Sequence, residues 1–335
     1  MKKTASFDIA KFICAFLVIM IHTFPLSGIW ENGNTILVSY VARIAVPLFF
    51  VISSYFFFQH QDENHIKTFM KRLGKIYIIW SLIYLPFFIW YQKDYLSFIT
   101  IIKWFFNFFI NGSYYHLWFI PALIFAMYIV NLLRKHFNLK QMITISLVLY
   151  FIGYLGNIHM EYLLDHPLLS IVWDPYIEIF NTTRNGLFFG IPFVTMGYLC
   201  ASQPYQNHPK DTRFFLLSSI CIYVIELWLY QEMDILEDRS CMYLTLIPLV
   251  YYVFRWLESK EIEIKPKHIM LRKMSLLIYV SHIAIYIVLG KIFAMTRIDI
   301  ASNLEMYFYT SILSLLLSGG IVYLSKYIPQ LKHLY

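Results

Sequence analysis

The sequence predicts an all-α polytopic membrane protein: about ten transmembrane helices around a central polar cavity or tunnel, with both termini cytoplasmic. Three observations predict it. Of 335 residues, 59% are hydrophobic, 19% aromatic and only 14% charged, and the mean hydropathy is +0.59; soluble domains carry about 25% charged residues. About ten apolar runs are long enough to cross roughly 30 Å of hydrocarbon at about 1.5 Å rise per residue. The basic residues gather in alternate connections between those runs, as positive-inside topology requires.

The runs follow in order. The first, 6–26, reads FDIAKFICAFLVIMIHTFPL from Phe7 and carries Asp8, Lys11 and His22. The second, 36–58, holds Arg43 and Pro47, and ends before Lys67, Lys71, Arg72 and Lys75. Runs 76–91 and 114–133 lead to Arg134, Lys135 and Lys140; runs 141–158 and 184–201 lead to Lys210 and Arg213. Runs 214–231 and 241–257 lead to Lys260, Lys265, Lys267, Arg272 and Lys273; runs 275–292 and 303–325 lead to Lys326 and Lys332. With Lys2 and Lys3 inside, about eighteen basic residues fall inside, against about four outside (Lys93, Lys103, Arg239, Arg297). The outer connections are acidic instead, with Glu161, Asp165, Asp174 and Glu178, then Glu232, Asp234, Glu237 and Asp238. This pattern closes only for an even number of spans. The run Trp104 to Ile110, WFFNFFI, is too short to span and reads as an interfacial or re-entrant helix.

The same observations exclude several classes. The formal net charge of +7 suggests nucleic acid, but the basic residues lie at span ends and no nucleic-acid motif accompanies them. The partner expected is membrane lipid. Cys14 and Cys221 sit inside apolar runs, Cys200 and Cys241 near span ends, without CxxC or metal spacing. Neither a disulfide framework nor a metal site is expected. The first run is interrupted by charge and has no small-x-small site before Trp30, so it does not read as a cleavable signal peptide. Residues 1–335 read as one transmembrane domain, with no soluble domain at either end and no repeat. An oligomer is compatible with the apolar surface.

Polar residues inside apolar runs are costly and usually face a bundle interior or a wet cavity. Lys11 and His22 lie about three helical turns apart and so share one stripe, one near each end. Snorkelling for Lys11 and packing for His22 are the bland readings. Asp8 reads as an ion-pair partner of Lys11 or as a helix N-terminal charge. Arg43 lies about eight residues into its run, too deep to snorkel, and faces a partner or a ligand. Pro47 reads as a kink. His116 opens the fourth run beside Tyr114, Tyr115 and Trp118; Arg184 and Asn185 open the sixth; each also fits an interfacial anchor. Tyr279 and His282 lie in IYVSHIAIY, toward the inner half, where simple packing is equally open. Glu226 reads as a counter-ion to an arginine or as an interfacial residue. By depth, His22, Arg43, His116, Arg184 and Asn185 form an outer layer, and Lys11, Tyr279 and His282 an inner one.

These residues also carry a resemblance. Asp8, Lys11 and His22 resemble the D-x-x-[R/K]-x10-H signature of the acyltransferase-3 family of bacterial integral-membrane acyltransferases. Further matches follow in order: R-x-A-V-P-L-F-F-x-x-S at Arg43 to Ser53, H-L-W-F-x-P-A-L at His116 to Leu123, R-N-G-L-F-F at Arg184 to Phe189, and Tyr279-x-x-His282. The RNGLFF and HLWFIPAL forms resemble most the membrane domain of VanT-type serine racemases, here without the racemase domain and without the SGNH hydrolase-like domain of other relatives. Two positions depart from the pattern. Lys11 stands where arginine is commoner, a point charge without a bidentate fork. Ser54 stands where glycine is usual.

The resemblance implies transfer of an acyl group, often acetyl, from cytoplasmic acyl-CoA to a hydroxyl outside a bacterial plasma membrane. The acceptor implied is an envelope glycan, glycolipid or lipid-linked sugar. His22 then corresponds to the catalytic base, with Arg43 beside the developing oxyanion. Lys11, Tyr279 and His282 fall on the acyl-CoA (acetyl-CoA) side, where the basic loops 67–75 and 265–273 steer an anionic donor. His116, Arg184 and Asn185 fall on the acceptor side. The other function class left open is a transporter or uptake component for a small molecule such as serine, although no inverted repeat is visible.

Overall fold

The computed structural model describes residues 4–60, 62–93, 97–203, 209–235, 240–296 and 302–335, and the described residues contain helices and no strand. In chain order the helices are α1 (Ser6–Thr23), α2 (Glu31–Thr35), α3 (Ala45–Phe58), α4 (Glu63–Tyr91), α5 (Phe98–Ile110), α6 (Phe119–His136) and α7 (Leu139–Ile158). Then come α8 (Met160–Asp165), α9 (Pro167–Phe180), α10 (Ile191–Ser202), α11 (Pro209–Glu232), α12 (Leu246–Glu258), α13 (Pro266–Thr296) and α14 (Asn303–Leu324). Of the residues used above for orientation, Lys2, Lys3, Glu237, Asp238, Arg239 and Arg297 lie outside the described residues.

Eight helical stretches among the described residues are long and apolar enough to cross a membrane. They are Ser6–Thr23, Glu31–Phe58, Asn64–Tyr91, Phe119–His136, Leu139–Ile158, Lys210–Glu232, Pro266–Thr296 and Asn303–Leu324. The other two expected runs form shorter helices, Gly186–Ser202 and α12, the latter of 13 residues. At about 1.5 Å per residue α12 reaches only about 20 Å. The WFFNFFI run lies in α5, 13 residues long with none buried, again too short to span.

The chain divides into two compact units: Met1–Phe49 with Leu257–Tyr335, and Phe50–Trp256. In the first, α1 packs along α13, and α14 packs on both. α1 buries Phe7, Ala10, Cys14, Ala15, Val18 and Ile19, a stripe at three- and four-residue spacing, and leaves Ile13 exposed. In lipid, apolar burial does not drive helices together; small residues such as Ala10 and Ala15 let backbones approach and gain dispersion contacts. α1 and α13 run parallel, since Asp8 meets Arg272 near their starts and the His22 ring meets His282 further along. α14 runs antiparallel to α13: the Tyr309 ring packs at a tilt on Phe293, and Gly319 lies beside Met274. The entry to α1 is tied to the 257–262 stretch. Ala5 N–H donates to the Ile262 carbonyl (2.9 Å), Ser6 Oγ to that of Leu257 (2.7 Å) and Thr4 Oγ1 to that of Lys260.

The stretch between α2 and α3 is irregular, with a π-helical segment Ile36–Val41 followed by a 3-10 turn Ala42–Ile44. Pro47 has no N–H to return to the Arg43 carbonyl, so regular α-helical bonding fails upstream of it. A second π-helical segment, Gly186–Gly190, stands just before Pro192 for the same reason. The two arginines singled out from sequence, Arg43 and Arg184, sit in or beside these segments, which recur at functional sites in other proteins.

In the second unit, α10 crosses α3 closely. A Cβ on Gly197 would run into Ser54 Oγ and come within 2.7 Å of the Val51 carbonyl oxygen. Ser54, the residue expected to alter packing here, is accommodated because Gly197 faces it and its hydroxyl donates to the Phe50 carbonyl at 2.8 Å. The chain leading into α12 is held by side chains of other helices. Asn157 Oδ1 accepts from Cys241 N (2.8 Å) and Met242 N (3.0 Å), and Tyr150 donates to the Tyr243 carbonyl (2.7 Å). Glu226 accepts from Leu244 N (2.9 Å), Thr245 N (2.8 Å), the Thr245 hydroxyl and the Tyr230 hydroxyl (3.0 Å). It therefore caps the start of α12.

Candidate functional site

The first unit holds His22, Lys11, Arg43, Tyr279 and His282. His22 and His282 both lie sixteen residues after the first residue of their helices, Ser6 and Pro266. Because the helices are parallel, the two imidazoles meet, with ring centroids 5.3 Å apart and planes tilted by 31°. This differs from the two-layer placement, which set His282 in the inner half. The apolar run begins near residue 275, but the helix begins at Pro266 and takes the basic stretch KHIMLRK into its first turns. His282 therefore stands deeper along its helix than hydropathy indicates. Its ring is fully buried, with Nδ1 2.7 Å from the Tyr279 carbonyl oxygen and 3.1 Å from that of Ile278. His22 is partly exposed. The Tyr279 ring lies 6.4 Å from Phe49 and 6.4 Å from His282.

The 3-10 turn that carries Arg43 packs against α1, and Arg43 itself is only 5% exposed. Asp8 has a partner that the sequence did not offer. Its buried carboxylate takes both arms of Arg272, from Nε at 2.7 Å and Nη2 at 2.9 Å, a bidentate pair between α1 and α13. Bidentate geometry fixes orientation as well as distance, so this pair sets the register that brings His22 opposite His282. It also removes Arg272 from the cations free to meet an anionic donor. Beyond it, residues Glu261, Ile262, Glu263, Lys265, Lys267 and His268 line an open cleft of about 330 Å³ that carries both signs of charge.

The second unit holds His116, Arg184 and Asn185. Gly112, at φ +91°, turns the chain ahead of His116; a Cβ there would meet Trp118 N at 2.6 Å. Ser113 is anchored by the Tyr77 hydroxyl, which accepts from its N–H at 2.8 Å, and by the Ser81 hydroxyl at 2.6 Å. His116 is 1% exposed and enclosed by Tyr84, Tyr115 and Tyr114, with centroids 4.7, 5.7 and 5.9 Å away. The Arg184 guanidinium lies 5.0 Å over the Trp118 ring, a cation–π contact. Asn185 Oδ1 caps Leu187 N (3.0 Å) and Phe188 N (3.2 Å), and its Nδ2 donates to the Tyr176 hydroxyl (2.6 Å). The Asn185 amide is thus used within its own turn. Burial pushes the Tyr176 phenol up to about 12, against the lowering effect of Asn185, so it stays protonated and donates to the Thr182 carbonyl at 3.1 Å. Asn111 Nδ2 donates to the Ile179 carbonyl (3.3 Å) and so joins the two turns. The partly exposed Arg184 cation over the Trp118 face is open to a ligand. Among the described residues, no three His, Cys, Asp or Glu side chains gather as a metal-sized cluster.

Residues 4–324 match the family described as an acyltransferase domain, acyltransferase-3. The chain belongs to the acyltransferase-3 family. It is 30% identical over 255 residues to an amino-acid racemase of Enterococcus faecalis, covering 75% of this chain and 35% of the relative. It is 28% identical over 315 residues to a serine/alanine racemase of Enterococcus gallinarum, covering 90% of this chain and 43% of the relative. The chain therefore spans less than half the length of these curated relatives. No solved structure matches it. Sequence reasoning missed the Asp8–Arg272 pair, the capping role of Glu226 and the enclosure of His116 by Tyr84. Only the acids themselves, Asp8 and Glu226, set in apolar runs, signalled that such contacts existed.

Proposed function

We propose that this acyltransferase-3 protein is a bacterial plasma-membrane O-acyltransferase. It moves an acyl group, acetyl in the simplest case, from cytoplasmic acyl-CoA to a hydroxyl of an envelope glycan, glycolipid or lipid-linked sugar. The reading is carried by one observation: a partly exposed imidazole, His22, in the last turn of a membrane-length helix of a chain whose residues 4–324 match the acyltransferase domain.

Imidazole, with an ordinary pKa near 6.5, can take the acceptor's proton as the alcohol oxygen attacks the thioester carbonyl. The new C–O bond forms as the carbonyl electrons move onto oxygen, and Arg43, buried on the turn packed against α1, stabilises that charge. Collapse of the tetrahedral intermediate breaks the C–S bond, and the coenzyme thiolate leaves with the proton carried by His22. Lys11, toward the inner end of α1, meets donor phosphates as a point charge, and Tyr279 lines the donor side. Arg184, partly exposed over the Trp118 ring, meets the acceptor, and the buried His116 and the Asn185 turn hold that cluster in shape. The aromatic character of that second cluster favours a glycan or lipid-linked acceptor over a free amino acid.

A second reading, uptake of a small molecule such as serine, is favoured by the serine/alanine racemase among the relatives. One experiment separates the two. Purified protein in liposomes is given acetyl-CoA and an envelope glycan extract, and free coenzyme A is measured. Release that depends on the extract and falls at least about 100-fold in His22→Ala, as loss of a general base predicts, supports acyl transfer. Coenzyme-independent serine flux unaffected by His22→Ala supports uptake instead. Envelope O-acetyl groups that are the same with and without the protein count against the enzyme.

A further inference from the structure

We propose that His282 is a positioning residue for His22, placed to accept a hydrogen bond from the α1 imidazole once that ring takes up a proton, rather than a ligand of the acyl donor. The proposal rests on the reading of His22 as the base of an acyl transfer. The two rings pack at 5.3 Å between centroids, on helices whose register is fixed by the bidentate Asp8–Arg272 pair. His282 Nδ1 sits 2.7 and 3.1 Å from two backbone carbonyl oxygens, and a carbonyl only accepts. Nδ1 therefore carries the proton, and the neutral ring presents a lone pair at Nε2. The ring is 0% exposed, and Ile278, Val280 and Ile283 beside it are also 0% exposed, so packing holds its orientation. A residue that grips a coenzyme chain needs a surface toward it; His282 has none.

During the reaction His22 becomes an imidazolium when it takes the hydroxyl proton. A lone pair held beside it steadies that cation, directly or through one water, as the carboxylate behind the base does in hydrolase triads. A neutral imidazole does this without placing a bare carboxylate at membrane depth, where one is costly. No bond to carbon changes at His282. The proton runs from the acceptor hydroxyl to His22 and on to the leaving thiolate.

The test uses the full chain in lipid nanodiscs. In wild-type protein, 15N-histidine spectra assigned through the backbone are expected to show His282 as the Nδ1–H tautomer. Diethyl pyrocarbonate attacks a neutral imidazole nitrogen, so the rate at which the His22 peptide is modified, followed by mass spectrometry, reports its basicity. His282→Leu is expected to slow that rate about tenfold, the low end of what removing a partner behind an imidazole costs. His282→Gln, which returns an oxygen acceptor, is expected to restore most of it, and acetyl-CoA affinity is expected to stay the same in both. Gel filtration and melting curves report whether each variant folds, and the wild-type tautomer decides if neither does. An Nε2–H tautomer, an unchanged His22 rate in a folded His282→Leu, or lost acetyl-CoA affinity with His22 reactivity intact overturns the proposal. If His22 reactivity follows His282 but wild-type protein cleaves no acetyl-CoA, the pairing stands and the acyl-transfer reading falls.

Discussion

Replacing Arg272 by leucine removes both donors from the Asp8 carboxylate, whose side chain is 3% exposed, while the Arg272 side chain is 49% exposed. Breaking a fully buried ion pair from one side costs about 3–5 kcal/mol, because the remaining charge is left without compensation. Here water reaches the arginine end, which screens the pair and lowers the figure to about 1.5–3 kcal/mol. For a chain of this size that is a fall of roughly 2–4 °C in apparent melting temperature. A double-mutant cycle isolates the pair: Asp8→Asn, Arg272→Leu and both together, each melted in detergent with aggregation followed by size exclusion. The expected coupling is about 1–2 kcal/mol, so the double variant melts well above the sum of the two losses. Because the pair sets the register of α1 on α13, Arg272→Leu is also expected to slow His22-dependent acyl transfer. Strictly additive losses, or a single variant that melts within about 1 °C of wild type, would refute the role given to the pair.

Other outcomes follow from the packing. Gly197→Ala drives a Cβ against Ser54 and the Val51 carbonyl, and is expected to lower stability by about 1–3 kcal/mol; Ser54→Gly in the same chain recovers only part, since the backbone contact remains, and full recovery in a thermal melt would contradict this. Glu226→Gln turns an amide N–H₂ toward two of the four donors that the carboxylate accepts; a loss of about 2–3 kcal/mol is expected, and a neutral effect in a denaturation assay would remove Glu226 as the cap of α12. The Ser314 hydroxyl is fully buried and has no hydrogen-bond partner among the described residues, so Ser314→Ala is expected to be neutral or slightly stabilising; a drop of several degrees in melting temperature would show that the hydroxyl is bonded after all.

The spans were legible because lipid imposes a length and a composition that a run of residues either meets or fails, and α1, α7 and α14 fall close to the runs 6–26, 141–158 and 303–325. The irregular starts of the second and sixth runs had a visible cause in Pro47 and Pro192, which withdraw an N–H from the helix. The depth of His282 was not legible. Hydropathy marks where apolar residues begin, whereas the helix starts nine residues earlier, at Pro266, inside a basic stretch that can reach the interface. The Asp8–Arg272 pair joins residues 264 apart in sequence, and Glu226 caps a turn eighteen residues downstream. No local pattern encodes either partner, so each acid showed only that it needed one. His116, Arg184 and Asn185 were legible as candidates because they interrupt apolar runs. The rings of Tyr84 and Tyr176 around them were not, since aromatic residues make up 19% of the chain and any of them could have lined such a turn.

The measurement that bears most directly on the central claim is the distance from the thioester carbonyl carbon of a bound acyl-CoA to the His22 imidazole. A structure with a non-hydrolysable acetyl-CoA analogue is expected to leave that carbon and the nearer His22 nitrogen separated by room for one hydroxyl oxygen, about 3 Å from each. A thioester held far from α1, or an analogue that binds with His22 turned toward lipid, would contradict the account.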